Sequence, residues 1–380
     1  MTFGMNPRLF AVCGTRPDAI KMAPVILELK KHSDIQTVVI ASGQHREILE
    51  QVFHQFNIRA HLNLEVMKHG QPLAEMTANI LQRFEHAVQN QQPDMVIAQG
   101  DTTTTFCAGL TAFYAKIPFA HVEAGLRTPT IDAPFPEEFN RRAVGLFAKL
   151  HFPPTASAAK NLLREGAPKD SVLITGNTAI DALLETTRGP AQNEPCKGRM
   201  MLVTTHRREN WGEPQKRICR AIHRILETFS DVHVVLPMHP NPIVREVLRA
   251  AFQNDPRVSL IEPPEYGPFA NLMRSAHLIL TDSGGIQEEA PALGKPVLVL
   301  REETERPEGI EAGNAVLVGS DENKIFEQAS KLLGDETYYS KMSTARNPYG
   351  DGKAAQRIVA RIRTFFGLPA EEISPFEPMP

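Results

Sequence analysis

The stretch LILTDSGGIQEEA, Leu278 to Ala290, reads as an apolar strand, a Ser-Gly-Gly turn and the opening of a helix. A short apolar run that ends in glycine and leads into a helix is the building unit of a parallel sheet buried on both faces. If Ser283 caps the helix, the amides of Gly284 and Gly285 lie open to a phosphate, and the helix dipole favours its charge. Two carboxylates follow at once. Gly285 and Glu289 are four residues apart and share a helix face, whereas Glu288 is rotated from it by about 100°. Glu289 is therefore placed for the group beside the phosphate, and the hydroxyls of a ribose are the natural partner for a carboxylate there. Glu288 need not touch the ligand. The alternative is an ordinary turn followed by surface acids.

The same unit recurs along the chain in both directions. LFAVCGT, TVVIASG, DMVIAQGD and FAHVEAG, between Leu9 and Gly125, each precede a helical pattern. The pattern breaks at ETTRGPAQNEPCKGR, Glu185 to Arg199, which is polar, holds two prolines and lacks periodicity. A second series then begins with MMLVTTH and runs through VHVVLPMHP, VSLIEPP, HLILTDSGG, KPVLVLRE and NAVLVG. This predicts an α/β protein with two Rossmann-like, doubly wound domains, residues 1–184 and 200–366, joined by a linker at 185–199. The carboxyl ends of their strands are expected to face a central cleft. Residues 367–380, acidic and rich in proline, read as a flexible tail.

Composition narrows the function. The 380 residues, 42% of them hydrophobic, suffice for two cores, and a net charge of −3 gives no electrostatic case for nucleic acid. No apolar run approaches the roughly 18 residues that span a bilayer, and MTFGMNPRLF lacks the features of a signal peptide. A cytoplasmic protein without membrane partners is expected. The four cysteines, Cys13, Cys107, Cys196 and Cys219, are scattered without metal-ligand spacing and read as reduced thiols, the first two as buried packing.

In open α/β sheets the chemistry sits just beyond the strands. Arg16 and Lys21, five apart in GTRPDAIK, could both serve an anion near a helix start, or be surface cations. Asp101 in QGDTTTT is either a helix N-cap or a general base, and Glu123 in HVEAGLR brings a second carboxylate to the same sheet edge. Two neighbouring acids push their pKa values apart, as acid/base work requires. In PFPEEFNRR, Glu137 and Arg141 share a helix face, either as an ion pair or as part of a site. His206 in TTHRRENWG could hold a diphosphate or shuttle a proton. His206 and His239 share no metal-ligand motif. Arg306, in REETERPEG, is either an anion contact or an ion-pair partner.

Taken together and in order, GTRPDAIKMAP, QHREILEQV, GDTTTT, HVEAGLRT, PFPEEFNR, TGNTAIDAL, THRREN, TDSGGIQEEAPALGKPVLVLREETERPEG and NPYGDG closely resemble the non-hydrolysing UDP-N-acetylglucosamine 2-epimerases. The likeness runs from about Leu9 to Phe366. It implies a GT-B-type fold, usually a homodimer, and reversible conversion of UDP-N-acetylglucosamine to UDP-N-acetylmannosamine without metal, nicotinamide or any other cofactor. By motif match it places nucleotide contacts on Arg16, His206, Phe269, Ser283, Gly284, Gly285, Glu289 and Arg306, with Lys21 also on the substrate. Catalytic groups fall on Lys21, Asp101, Glu123, Glu137, Arg141 and His206. Activation by substrate would involve Gln44, His45, Arg46 and Gln71. Gly70 stands where that resemblance leads one to expect an Arg, and Pro129 and Asp132 depart from the glycine-containing loop expected before PFPEE. The rival readings are a hydrolysing epimerase that releases UDP, a GT-B glycosyltransferase, a sugar-nucleotide sensor, and an enzyme for a modified UDP sugar.

Overall fold

The computed structural model describes residues 6–43, 46–66, 70–189 and 198–377, and the side chains of 46–48 fall outside the description. The chain divides into two units. The first comprises 1–182 with 350–377, and the second 183–349. The first holds strands β1 (Arg8–Cys13), β2 (Gln36–Ala41), β3 (Leu62–Asn63), β4 (Met95–Gln99), β5 (Phe119–Val122) and β6 (Leu150–Phe152). The second holds β7 (Arg199–Thr204), β8 (Val232–Pro237), β9 (Val258–Ile261), β10 (Leu278–Thr281), β11 (Val297–Val299) and β12 (Ala315–Leu317).

The strands pair in parallel in the orders β3-β2-β1-β4-β5-β6 and β12-β11-β10-β7-β8-β9. Counted within its own unit, each sheet has the order 3-2-1-4-5-6 of a Rossmann fold, with helices between successive strands. The order reverses between the first and fourth strands, which in this protein are β1 with β4 and β7 with β10. Chemistry is expected at those two places.

Burial explains why the strands are continuous apolar runs. In the second sheet Met201, Val203, Leu278 and Leu280 pack into one core, while Leu202, Ile279, Val297 and Val299 pack into another on the opposite face. In the first sheet Phe10 meets Phe84 edge to face at 6.2 Å within a cluster that includes Val12, Ile40 and Val96. Truncating such a buried Phe to Ala costs about 3–5 kcal/mol. Cys13, Cys107 and Cys219 are buried free thiols, and Cys196 lies outside the described residues.

Two features differ from the sequence expectation. Strands β3 (LN) and β6 (LHF) are short and each holds a polar residue, so neither stands out as an apolar run. The chain after 349 also returns to the first unit instead of completing the second. Helix Ala354–Phe365 packs on helix Arg16–Leu29, and Arg363 grips Asp34 through both carboxylate oxygens at 2.5 and 2.9 Å. The segment read as a flexible tail is held as far as Phe376. That ring is buried beneath the Arg357 guanidinium, and its N–H donates to the Ile174 carbonyl at 2.9 Å. Acidic, proline-rich composition pointed to disorder, but a buried ring and two arginines hold the segment, Arg357 donating to the Ser374 carbonyl and Arg363 to the Pro369 carbonyl.

Candidate active site

In the first unit the turn after β1 admits no side chain at Gly14, since a Cβ there would stand 2.5 Å from the Thr104 hydroxyl. Thr15 and Asp18 close a capping box, with the Thr15 N–H donating to Asp18 at 3.0 Å, and Pro17 occupies the first helical turn. Asp18 was not singled out from sequence, yet it is buried and takes a further bond from the Thr102 hydroxyl at 3.1 Å, across the β1/β4 boundary. Burial pushes it up to about 6 against those bonds. Arg16, beside it, is half-buried and makes no ion pair or hydrogen bond among the described residues.

Lys21, one turn on, does not join Arg16. Its ammonium pairs with Glu123 at 2.5 Å. Glu123 ends β5 in left-handed backbone conformation, φ 60°, a costly state for a residue with a side chain. It also accepts from the buried amides of Gln99 and Asn177, the latter at 3.2 Å. Three donors on three elements thus fix one carboxylate.

Asp101 is not the cap of helix Thr103–Tyr114. Thr102 takes that role, accepting from the Thr105 N–H at 3.3 Å. Asp101 instead faces the Arg141 guanidinium, while Asn140 donates to its backbone carbonyl at 2.9 Å. Burial raises its pKa, Arg141 opposes, and the negative charge of Glu123 adds to the rise. The anticipated Glu137–Arg141 pair does not form, because Arg141 divides itself between Asp101 and Glu138. Glu138 is the structural acid of that helix, fully buried and bonded to Arg142 at 2.6 Å and to the Thr128 N–H at 3.2 Å. Among the described residues Glu137 is left without such a partner.

The second unit repeats the topology with different chemistry. Thr204 and Thr281 are register partners on β7 and β10, and their hydroxyls lie 2.6 Å apart. One turn beyond, His206 Nδ1 meets Asp282 Oδ1 at 2.9 Å. Asp282 was not singled out from sequence either, although a carboxylate just after a buried strand was the available signal. Burial alone would raise its pKa, but the bonds from His206, the Arg207 N–H and Asn210 outweigh burial and hold it low. His239 stacks beside the His206 ring, with centroids 6.3 Å apart.

Ser283 sits at the N-cap without capping the helix through its side chain. A Cβ at Gly284 or Gly285 would find only Arg306 at 3.9 Å or the Ser283 hydroxyl at 4.0 Å, and neither glycine has positive φ. The protein's own packing therefore does not require them. Glu288 is buried and bound to the Arg306 side chain, while Glu289 is half-buried, so the two acids divide as their helical spacing predicts. Arg306 is thus at least an ion-pair partner. Tyr266 is buried, its pKa pushed well up by burial and by the charge of Glu289, and Phe269 lies one turn along the same helix against the core.

Of the residues matched to substrate activation, Gln44 and His45 lie outside the described residues, as does the side chain of Arg46. Gln71 donates to the Val66 carbonyl at 3.1 Å. No group of three His, Cys, Asp or Glu side chains among the described residues could hold a metal ion, and none of the described helices is long and apolar enough to cross a membrane.

Comparison with known proteins follows the same lines. The sequence model of the family described as UDP-N-acetylglucosamine 2-epimerase matches residues 27–363. The chain is 50% identical over 373 residues to UDP-N-acetylglucosamine 2-epimerase of Bacillus subtilis (strain 168), covering 97% of this chain and 98% of that one. A crystal structure of a UDP-N-acetylglucosamine 2-epimerase superposes with a TM-score of 0.93 at 47% identity, over 98% of this chain and 100% of that one. The enzyme from Neisseria meningitidis, solved bound to UDP-GlcNAc, gives a TM-score of 0.86 at 44% identity, over 94% of this chain and 100% of that one.

Proposed function

The chain belongs to the UDP-N-acetylglucosamine 2-epimerase family, and we propose that it interconverts UDP-N-acetylglucosamine and UDP-N-acetylmannosamine without net hydrolysis. The C2 proton of the sugar has no adjacent carbonyl, so direct abstraction would leave an unstabilised carbanion. Elimination avoids this. A base takes the C2 proton, the C1–O bond to UDP breaks, and its electron pair leaves on the diphosphate. UDP then adds back to the resulting 2-acetamidoglucal while a proton arrives at the other face of C2.

The observation that carries this reading is Asp101. Burial and the neighbouring Glu123 charge raise its pKa, which suits a carboxyl that takes up and returns a proton. Glu123 and Lys21 form a fixed charged frame beside it, and Arg141 orients it. Glu137, without an ion-pair or hydrogen-bond partner among the described residues, is available as the second acid/base group. The nucleotide is assigned to the second unit, with the diphosphate on the Ser283-Gly284-Gly285 amides, His206 and Arg306 and the ribose on Glu289, beside Phe269. Arg16, with no ion pair or hydrogen bond among the described residues, is the first unit's candidate anion contact. Glycines that packing does not need, next to a turn whose amides the Ser283 side chain does not cap, support that placement.

The experiment is incubation with UDP-N-acetylglucosamine in deuterated water, followed by NMR. The expected product is UDP-N-acetylmannosamine carrying deuterium at C2, with little free UDP. UDP released in step with sugar turnover would instead mark a hydrolysing enzyme, and binding without turnover a sensor. The product is proposed to supply cell-surface polysaccharide synthesis from the cytoplasm. We also propose a homodimer. Phe113, Tyr114 and Leu146 expose an apolar surface on helices Thr103–Tyr114 and Glu137–Phe147, Leu146 being 84% exposed. Light scattering should give a dimer for the native chain and a lower mass for Leu146→Lys.

A further inference from the structure

We infer that Asp282 is a positioning residue that fixes the proton of His206 on Nδ1 and so leaves Nε2 as the nitrogen that works. The inference rests on the assignment of His206 to the nucleotide-sugar reaction, and it goes beyond that assignment by naming the group that sets the imidazole's state. Strands β7 and β10 are adjacent and parallel, and their ends bring His206 and Asp282 together where the strand order reverses. Asp282 is 0% exposed, so it can act on a ligand only through a neighbour, whereas the His206 side chain is 41% exposed.

The carboxylate is oriented by more than the imidazole. Its Oδ2 accepts the backbone N–H of His206 at 2.9 Å, the backbone N–H of Arg207 at 3.0 Å and the Asn210 side-chain amide at 3.0 Å. Asn210 is itself buried and held by the Leu300 carbonyl at 2.9 Å. Oδ2 takes all three donors, while Oδ1 faces the imidazole at 2.9 Å and shares only the His206 backbone N–H, at the longer distance of 3.2 Å. A carboxylate has only acceptors to offer, so the ring nitrogen facing it must carry a proton in both charge states of the imidazole. Only Nε2 then changes protonation as His206 acts, the arrangement by which a buried Asp selects the tautomer of a catalytic His. Asp282 bonds the ring and His239 stacks beside it, while the Arg207 N–H bonds Asp282.

The fixed donors make the substitution Asp282→Asn informative. The three N–H donors require the amide oxygen at the Oδ2 position, which places the amide nitrogen opposite Nδ1. Nδ1 must then accept, and the neutral ring's proton moves to Nε2. In the full-length protein labelled with nitrogen-15, the His206 ring signals, assigned with His206→Gln, should show protonated Nδ1 in the native chain and the Nε2–H tautomer in Asp282→Asn. Turnover should fall roughly 10²-fold with KM changed far less, and Asp282→Asn should cost almost nothing further in the His206→Gln background. An unprotonated Nδ1 in the native chain, or losses that multiply in the double variant, would overturn the inference. The predicted switch between the native chain and Asp282→Asn, in a native protein that does not epimerise, would uphold the positioning role and sink the functional reading instead.

Discussion

The two units share one strand order and treat their buried acids in opposite ways. In the first, Asp18 is raised to about 6 and Asp101 is raised as well, both chiefly by burial. In the second, Asp282 is just as deeply placed at the matching point of the sheet and is held low. The difference lies in the donors. Asp282 meets two backbone amides, an amide side chain and an imidazole, whereas Asp18 bonds the Thr15 amide and the side chains of Thr15 and Thr102, with no imidazole among them. Topology thus decides where acids gather, and the local count of donors decides whether they keep a proton. On the proposed reading, a fold used twice yields one unit for proton transfer and one for holding an anion.

The largest expected effect tests the proton-carrying unit. Asp101→Asn should lower turnover by about 10²–10⁴-fold while UDP affinity, read by calorimetry, stays near the native value. Loss of UDP binding instead would place Asp101 on the wrong side of the division. Glu289→Ala should do the reverse, weakening UDP binding by about 1.5–3 kcal/mol, the worth of hydrogen bonds to a charged group, with a smaller effect on turnover at saturation. Gly14→Ala should lower stability by about 1–3 kcal/mol, because the buried Thr104 side chain must move to admit the methyl group. An unchanged thermal midpoint would show that the close approach is not rigid.

The smallest effect is a pH slope. Asp181, buried and bonded to the Ala355 N–H at 2.8 Å, is raised to about 7 by burial, with its backbone hydrogen bonds opposing. A carboxyl raised on folding binds its proton more tightly in the folded state. Its contribution is therefore complete below about pH 4 and is lost as pH rises toward 7. Asp282, held low, has the opposite sign, contributing above about pH 4 and losing that contribution as pH falls through its folded pKa. Denaturant titrations of Asp181→Asn between about pH 4 and 7 should show a slope changed by about one proton. An unchanged slope would contradict the assignment.

The strands that carry the site were legible as apolar runs because parallel sheets bury both faces, and the polar residues after them were legible because ligands gather there. Short β3 and β6 were not, since a polar residue interrupts each, whereas the equally short β11 and β12 lie within longer apolar runs. Asp18 and Asp282 were passed over because a caps-and-turns vocabulary already explains an Asp beside a helix. Their importance comes from partners 84 and 76 residues away in the chain, the Thr102 hydroxyl and the His206 amide. The Glu137–Arg141 pair, drawn from spacing alone, gave way because Asp101 and Glu138 offered Arg141 nearer charges.

The return of residues 350–377 to the first unit makes that unit discontinuous, with the second inserted in its middle. On the ribosome the second unit can therefore finish folding while the first still waits for helix Ala354–Phe365 and Phe376, which emerge after it. Until they arrive, Asp34 lacks Arg363, Asp181 lacks the amides it holds, and the apolar side of helix Arg16–Leu29 stays uncovered. The order of synthesis makes the first unit the later of the two to complete.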